Sequence, residues 1–284
     1  MSLPSLYLDA FLAVAQTEGF SSAAQKLNVT QSALSQRIKN LEEELGLTLF
    51  IRTPNGALLT EPGERLLRYC QTRESLEEEV IQDLNVSKAF ELTGRIKIAG
   101  YSSVVRSVLI PALAPLIEAH PNLLCEFICA SMTELPGLLQ RAEVDFVVLD
   151  YSLERAELQT VKLGCEDYVV IEGKKGKGRH HVFLDNDPGD RATELFFKAQ
   201  GGKPAKYRRS YLGDCYGIID AVRLGLGRAV MPVHLVSSGN DLKIVKGFKT
   251  YKTDVVLHYY QQPFYSKRHQ AIIQTLIKNS PDYL

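Results

Sequence analysis

Apolar residues along the front third of the chain recur at steps of three and four, which predicts helices. Leu8, Phe11, Leu12 and Ala15 give Leu6–Thr17 one apolar face. A short second helix follows, with Ser21 as a candidate N-cap, Ala23 and Ala24 small enough for a close helix crossing, and Leu27 at its end. Asn28-Val29-Thr30 then makes a three-residue turn into a third helix, striped by Leu34, Ile38, Leu41 and Leu45. Thr30 suits its N-cap and Gly46 its C-cap. Taken alone, this stretch reads as an amphipathic surface helix, but the short helix and turn before it make a helix-turn-helix. Asn55-Gly56 between Leu49–Ile51 and Ala57–Leu59 adds a hairpin signal. Three helices and a hairpin predict a winged helix-turn-helix over residues 1–60, whose second motif helix enters the major groove of DNA.

From Thr60 the pattern predicts a long helix, so residues 61–90 read as a linker. Thr60 caps it, and Glu61 and Glu64 suit its positive end. Leu66, Tyr69, Leu76 and Val80 form a seam, interrupted by Arg73. A helix near 25 residues has little core of its own to cover, so the seam is expected to pair with a second copy. The alternative is packing on its own domain. Beyond residue 91 strands and helices alternate: Arg95–Gly100, a helix through Leu109, Leu113, Leu116 and Ile117, Leu124–Ala130, a helix through Leu135 to Leu139, and the apolar Val144–Leu149. That order predicts a parallel sheet. Tyr168–Ile171 and Val182–Leu184 start a second such unit, Ile218–Leu226 is a helix, Ala229–Met231 a strand, Val255–Tyr260 a strand crossing back, and His269–Ile277 a closing helix.

The run AAQKLNVTQSALSQRIKNLEEELGLTLFIRTPNGALLTEPG resembles the N-terminal domain of the LysR-type transcriptional regulators in motif order and spacing. The resemblance extends more weakly over the whole chain. TQSALSQRIKNLE, LGCEDYVVI and LHYYQQPF are most similar to the lysine- and arginine-responsive members. The resemblance implies an α+β protein: a winged helix-turn-helix, a long linker helix, and over 91–284 a two-lobed α/β effector domain of periplasmic-binding-protein type. Lobe I is expected at 91–163 and 258–284, lobe II at 164–257. It also implies double-stranded DNA with an interrupted inverted repeat as target, a homodimer or homotetramer, a cytoplasmic location, and RNA polymerase as a candidate partner.

Charge changes this picture in one respect. The chain carries 33 basic and 33 acidic residues, but residues 1–90 hold 8 Lys/Arg against 12 Asp/Glu. A DNA-binding segment usually has a basic footprint. Here the acids clump at Glu42–Glu44 and Glu77–Glu79, where they can face away from DNA. Affinity is therefore expected to rest on a few placed contacts and on two copies of the domain. Gln31, Ser32, Ser35 and Gln36 are the candidate base-edge contacts, because short hydroxyl and amide side chains both donate and accept. Arg37, Lys39 and Arg52 are candidate phosphate contacts, with pairing to nearby glutamates as the alternative for Arg37.

Other chemistry is sparse. Five cysteines without a paired framework suit a reducing compartment, and Cys125 and Cys129 read as small apolar strand residues. The six histidines are dispersed and His180-His181 has no HExxH context, so neither metal nor cofactor is assigned. No uninterrupted apolar stretch is expected to span a membrane, and no signal peptide is recognisable. Gly173–Arg179 has a P-loop flavour without the Lys-Ser/Thr ending, and Gly225-Leu226-Gly227 is an incomplete dinucleotide fingerprint with Val230 in place of its last glycine. No catalytic elbow or Cys-His pair appears.

Ligands of open α/β sheets sit beyond the carboxyl ends of strands, which puts the effector between the lobes. Ser102 and Ser103 follow the first strand and Ser131 and Thr133 the second; Asp150 and Tyr151 end the third, and Asp214, Cys215 and Tyr216 open a helix of lobe II. Hydroxyls with carboxylates suit a zwitterion carrying a further cation, and the resemblance points equally to lysine or arginine. Two alternatives stand beside this reading: these residues only cap helices, or the ligand is an organic acid. A function of another class also accounts for the last two-thirds, namely a small-molecule-binding protein or enzyme whose N-terminal domain makes protein contacts.

Overall fold

The computed structural model describes residues 3–54, 56–84, 91–174, 179–201, 206–236 and 241–284. These fall into two compact units. The first comprises Met1–Glu91 with two short returning segments, Gly137–Val144 and Gln262–Lys267; the second holds the remainder. The sequence places those two segments in the effector domain. They join the first unit because they offer polar partners to its long helix.

In the first unit, α1 (Ser5–Thr17), α2 (Phe20–Lys26) and α3 (Gln31–Leu45) pack on one another, followed by β1 (Phe50–Thr53), β2 (Gly56–Leu59) and α4 (Glu61–Leu84). Leu8, Phe11, Val14, Leu34, Ile38 and Leu41 form the core, with the Phe50 ring 5.1 Å from that of Phe11. Ala23 and Ala24 are buried at the crossing, as their size suggests. Thr30 Oγ1 accepts from Ala33 N (3.1 Å) and fixes the start of α3, while Gly46 ends it at φ 65°. Ser21 is not the cap of α2; Gly19 takes that place and Ser21 sits exposed in the first turn. Asn55 and residues 85–90 of the expected linker lie outside the described residues.

Thr60 caps α4 by accepting from Gly63 N at 3.2 Å. Leu67 and Cys70 are buried on the domain face of α4, and Leu66 is half-buried against the same core. Arg73 faces inward too, pairing with Asp9 of α1 at 2.6 Å. Leu66 is thus shared with its own domain, and the more open apolar positions on α4 are Tyr69, Val80, Ile81 and Leu84. Arg68 and Gln71 donate to the carbonyls of Gln140 and Ala142, and Lys267 pairs with Asp83 at 2.6 Å.

In the second unit β3 (Gly94–Gly100) lies between β4 (Leu123–Cys129) and β5 (Phe146–Leu149), parallel to both. A continuous helical run, α5 (Ser102–Val104), a π-helical stretch (Val105–Leu109) and α6 (Ile110–Ala119), connects β3 to β4. By length and composition this run is apolar enough to cross a membrane, although Arg106 and Glu118 interrupt it. Its apolar face is instead committed to the sheet: Val105, Val108, Leu109, Ala112 and Leu113 are buried among Ile96, Ile98, Phe146 and Leu276. α7 (Leu135–Gln140), between β4 and β5, runs into the segment that belongs to the first unit; after β5, two long strands carry the chain to and from the second lobe. These are β6 (Leu158–Gly173) and its antiparallel partner β11 (Tyr251–Tyr260), with a bulge between Val255 and Val256.

Tyr168–Ile171 is therefore not a new strand but the far half of β6. In lobe II it is flanked by β9 (Ala229–Pro232) and β10 (Leu242–Ile244), both antiparallel to it. β7 (Val182–Asp185) runs parallel to β8 (Arg208–Tyr211) and is tied to Arg228 through Leu184 N and Val182 O, both at 2.8 Å. α8 (Ala192–Ala199) and α9 (Cys215–Arg223) cover this sheet, and α10 (Lys267–Asn279) closes lobe I. Arg208-Arg209-Ser210-Tyr211 escaped the sequence reading because a short polar edge strand has no apolar alternation.

His258 lies fully buried on β11, and its Nε2 accepts from Leu153 N at 3.0 Å. Burial pushes its pKa below the ordinary 6.5. A proton is then bound better by the unfolded chain, so stability is full above pH 6.5 and declines as pH falls toward the lower folded value. We expect urea melts to lose up to about 1.4 kcal/mol per pH unit in that window. His258→Asn should flatten the slope there; an unchanged slope would assign it to other groups.

Candidate DNA-contact helix and interlobe cleft

The start of α3 projects its polar face into solvent. Gln31, Ser32 and Gln36 are exposed and Ser35 is half-buried. Ser32 Oγ lies 3.0 Å from Thr30 Oγ1, so the capping residue also holds its neighbour. Gln31 Oε1 accepts from Ser21 Oγ at 3.3 Å, which ties the two motif helices together at their exposed ends. Gln36 Nε2 donates to Asn40 Oδ1 (2.7 Å), and Asn40 Nδ2 donates to Tyr7 OH (3.2 Å). This chain of bonds holds the Gln36 amide in one orientation, which base-edge readout requires.

The cations are placed unequally. Arg37 has no ion-pair partner among the described residues, whereas Lys39 approaches Glu43 at 3.5 Å. The glutamate pairing considered for Arg37 is made by Lys39 instead. Both members of that pair are open to water, so it is weak and easily exchanged for a phosphate. Arg52 on β1 lays its guanidinium over the Phe20 ring, 4.4 Å from the centroid, leaving its hydrogen-bonding edge available. Arg65 is engaged by Glu61 at 2.8 Å.

With Gln31 at a base edge, as the sequence suggests, Gln31→Ala is expected to cost on the order of 1–3 kcal/mol of binding and to relax sequence preference. Arg52→Ala should weaken all sequences alike and flatten the salt dependence. Equal losses on specific and random duplexes for Gln31→Ala, in a salt-controlled gel-shift titration, would remove it from the base-reading set.

In the second unit several of the expected effector residues converge. Ser102 opens the helix after β3, and its Oγ lies 3.3 Å from Cys215 Sγ at the start of α9. Tyr216 OH is 3.3 Å from Ser107 Oγ, and Arg106 stacks on its ring at 4.0 Å. Lobes I and II thus meet where β3 ends and α9 begins. Asp214 caps α9, one carboxylate oxygen accepting from Gly217 N at 2.8 Å. Ser103 is buried. Ser131 binds Thr133 at 3.0 Å and Glu134 at 2.6 Å in an exposed turn, so that pair has local partners as the capping alternative foresaw.

Asp150 and Tyr151, at the end of β5, keep contact with solvent. Crowding by protein atoms nevertheless raises the Asp150 carboxyl above its ordinary value, and negative charge on Glu166 and Asp190 adds to the effect. Tyr101 is raised by burial and then by Asp190, Cys215, Asp187 and Asp214. Tyr168, fully enclosed, is raised by burial and by Glu166, Asp150 and Asp190. Acidic groups from β5, β6, the turn after β7 and the start of α9 therefore share one region. Glu166 is itself buried, bonded to His234 Nε2 (2.7 Å) and Tyr168 OH (3.1 Å). Asp190 accepts from Asn186 N and Ala192 N, and Arg209 donates to the Asp190 carbonyl.

Glu166, Asp187, Asp190, Tyr101 and Arg106 were missed in the sequence. The Asp-Asn-Asp-Pro-Gly-Asp run at 185–190 was the available signal, in a stretch dense with carboxylates after a strand. Tyr101 adds a hydroxyl near the carboxylates of Asp187 and Asp190, and Arg106 adds a cation held over the Tyr216 ring. Among the described residues no His/Cys/Asp/Glu group has the arrangement of a metal site.

Residues 7–64 match the bacterial regulatory helix-turn-helix protein, lysR family, and residues 91–280 match the LysR substrate binding domain. The chain is 30% identical over 247 residues to the HTH-type transcriptional regulator DgdR of Burkholderia cepacia, covering 84% of this chain and 81% of that one. It is 36% identical over 173 residues to the HTH-type transcriptional regulator ArgP of Escherichia coli O139:H28, covering 59% of this chain and 54% of that one. Among solved structures, full-length LysG of Corynebacterium glutamicum with bound effector Arg superposes with a TM-score of 0.77 at 20% identity, over 98% of each chain.

Proposed function

Because this chain belongs to the LysR family of DNA-binding transcriptional regulators, we propose that its effector is a basic amino acid, L-lysine or L-arginine, held between the two lobes of residues 91–284. The protein is a regulator with an effector-binding domain and not an enzyme. Membership accounts for the helix-turn-helix, which a reading through protein contacts leaves without a purpose.

The observation that carries the choice of ligand is the gathering of Asp150, Glu166 and Asp190 near Tyr168, whose hydroxyl donates to Glu166 at 3.1 Å, with Asp187 and Asp190 acting on Tyr101. Clustered carboxylates in a partly desolvated site repel one another, and a ligand cation relieves that repulsion. An anionic organic acid would increase it. Ser102, at the helix start after β3, then faces the α-carboxylate, where free N–H groups favour negative charge. The resemblance to LysG, solved with arginine, and to ArgP supports the same ligand class. Gln31, Ser32, Ser35 and Gln36 read bases in this proposal, Arg37, Lys39 and Arg52 hold phosphates, and RNA polymerase is the partner once DNA is bound.

Either amino acid at millimolar concentration should raise the melting temperature and change the footprint on the chain's own upstream DNA. Asp150→Asn should weaken that response without lowering affinity for DNA in the absence of effector. A melting shift with an organic acid and none with lysine or arginine would overturn the ligand assignment and leave the regulator intact.

A further inference from the structure

Gly173 and Arg179, the two ends of one glycine-containing stretch set aside in the sequence, come together on lobe II with Gly225 and Gly227 of another. The end of β6 at Gly173, the chain at Arg179 and His180, and Gly225 and Gly227 after α9 line one shallow, solvent-open recess with Glu172 and Arg228. Glu172 is its hub. Its carboxylate takes Arg228 at 2.7 Å, Lys243 at 3.0 Å and His180 at 3.1 Å. Burial alone would raise that carboxyl, but the hydrogen bonds from Lys243 and Arg228 outweigh it and hold it below the ordinary range.

One carboxylate cannot balance these groups. Arg228, Lys243 and Arg179 carry three full positive charges, and Arg179 has no ion-pair partner among the described residues. The glycines keep side chains out of the wall: Gly225 takes φ 78°, and a Cβ at Gly227 would stand 2.8 Å from Val182 O. The recess is therefore walled by backbone, ringed by cations and left with surplus positive charge. We infer that it binds a small multiply charged anion of the phosphate type. Arg228 spends its Nε and Nη2 on Glu172 (2.8 and 2.7 Å), so the uncommitted guanidinium at the recess is that of Arg179, whose planar fork can pair with a tetrahedral oxyanion through two hydrogen bonds at once. The site lies past the C-terminal end of α9, whereas Asp214, Cys215 and Tyr216 lie at its N-terminal end. It is thus separate from the proposed amino-acid site and does not rest on that reading.

The test is calorimetric titration of the full chain with sodium pyrophosphate at constant ionic strength. Saturable binding at or below millimolar concentration is expected. Arg179→Ala should weaken it about tenfold, the value of one charge-assisted hydrogen bond. Glu172→Gln should tighten it several-fold by removing the competing carboxylate. Lys252→Ala, which removes an exposed cation paired to Asp167, should leave it unchanged. No saturable heat with the wild type, or equal losses in Arg179→Ala and Lys252→Ala, would overturn the proposal. So would an Arg179→Ala loss seen only with an operator-free duplex, which would assign the recess to DNA phosphates. The melting response of Arg179→Ala to L-lysine reports on the amino-acid site by itself.

Discussion

Replacing Tyr69 and Val80 together with glutamate is expected to lower affinity for a two-half-site operator by about 100-fold or more, the avidity that two linked domains supply. The same variant should sediment as a monomer at micromolar concentration. Tyr69, Val80, Ile81 and Leu84 are 50–77% exposed on α4, an excess of apolar surface for a helix flanked by polar chain. Burying them against a second α4 would remove that surface from water and present two copies of α3 to DNA at a fixed spacing. The dependence on pairing is steep because the first 90 residues carry net negative charge, so one domain has little electrostatic hold on DNA. Leu66, part of the seam expected from the sequence, is a poor site for this test, since it packs on its own domain and its replacement would disturb that core. A variant that remains dimeric by light scattering, or a wild type that is already monomeric, would remove α4 as the pairing element.

Gly56→Ala is expected to destabilise the N-terminal domain by roughly 2–4 kcal/mol, combining overpacking with a strained backbone. Gly56 opens β2 at φ 145°, outside the conformations an L side chain adopts readily. A Cβ there would stand 2.1 Å from the carbonyl oxygen of Glu18. That same oxygen accepts from Ala57 N at 2.8 Å, so the hairpin cannot retreat without losing the bond that docks it behind α1. Urea melts should show the loss directly. Affinity for DNA should fall as well, since Arg52 stands opposite Ala57 in the hairpin register. Stability within a few tenths of a kcal/mol of wild type would show that the hairpin shifts freely against Glu18.

Much of the N-terminal domain was legible because its signals are local. Thr30, Gly46 and Thr60 cap helices from chemistry within three or four residues, and the period of Leu34, Ile38 and Leu41 marks the buried face of α3 without reference to any partner. The misreading of Ser21 has a local cause too: serine suits both the cap and the first turn, and only the backbone places the cap at Gly19. The exposed face of α3 was readable for the same reason, whereas the bond from Asn40 to Tyr7, which anchors the Gln36 amide, joins residues 33 positions apart.

The effector domain divides along that line. Amphipathic periods and apolar runs in the sequence are sufficient to order β3, β4 and β5 with their helices, since the central strands there carry mostly buried apolar residues. They are not sufficient to show that Leu158–Gly173 is one strand serving two lobes, because its burial changes sides along its length while its composition stays mixed. Nor do they bring Glu166 and Asp190 toward Asp150, or Gly173 and Arg179 toward Gly227. By itself the sequence determined the family, the recognition helix and its caps, all carried by contacts a few residues long. The tertiary structure decided which carboxylates lie near one another, which face of α4 remains open and how the cations are paired. Those properties depend on distance through space, and they are set by long-range strand pairing that no local pattern encodes.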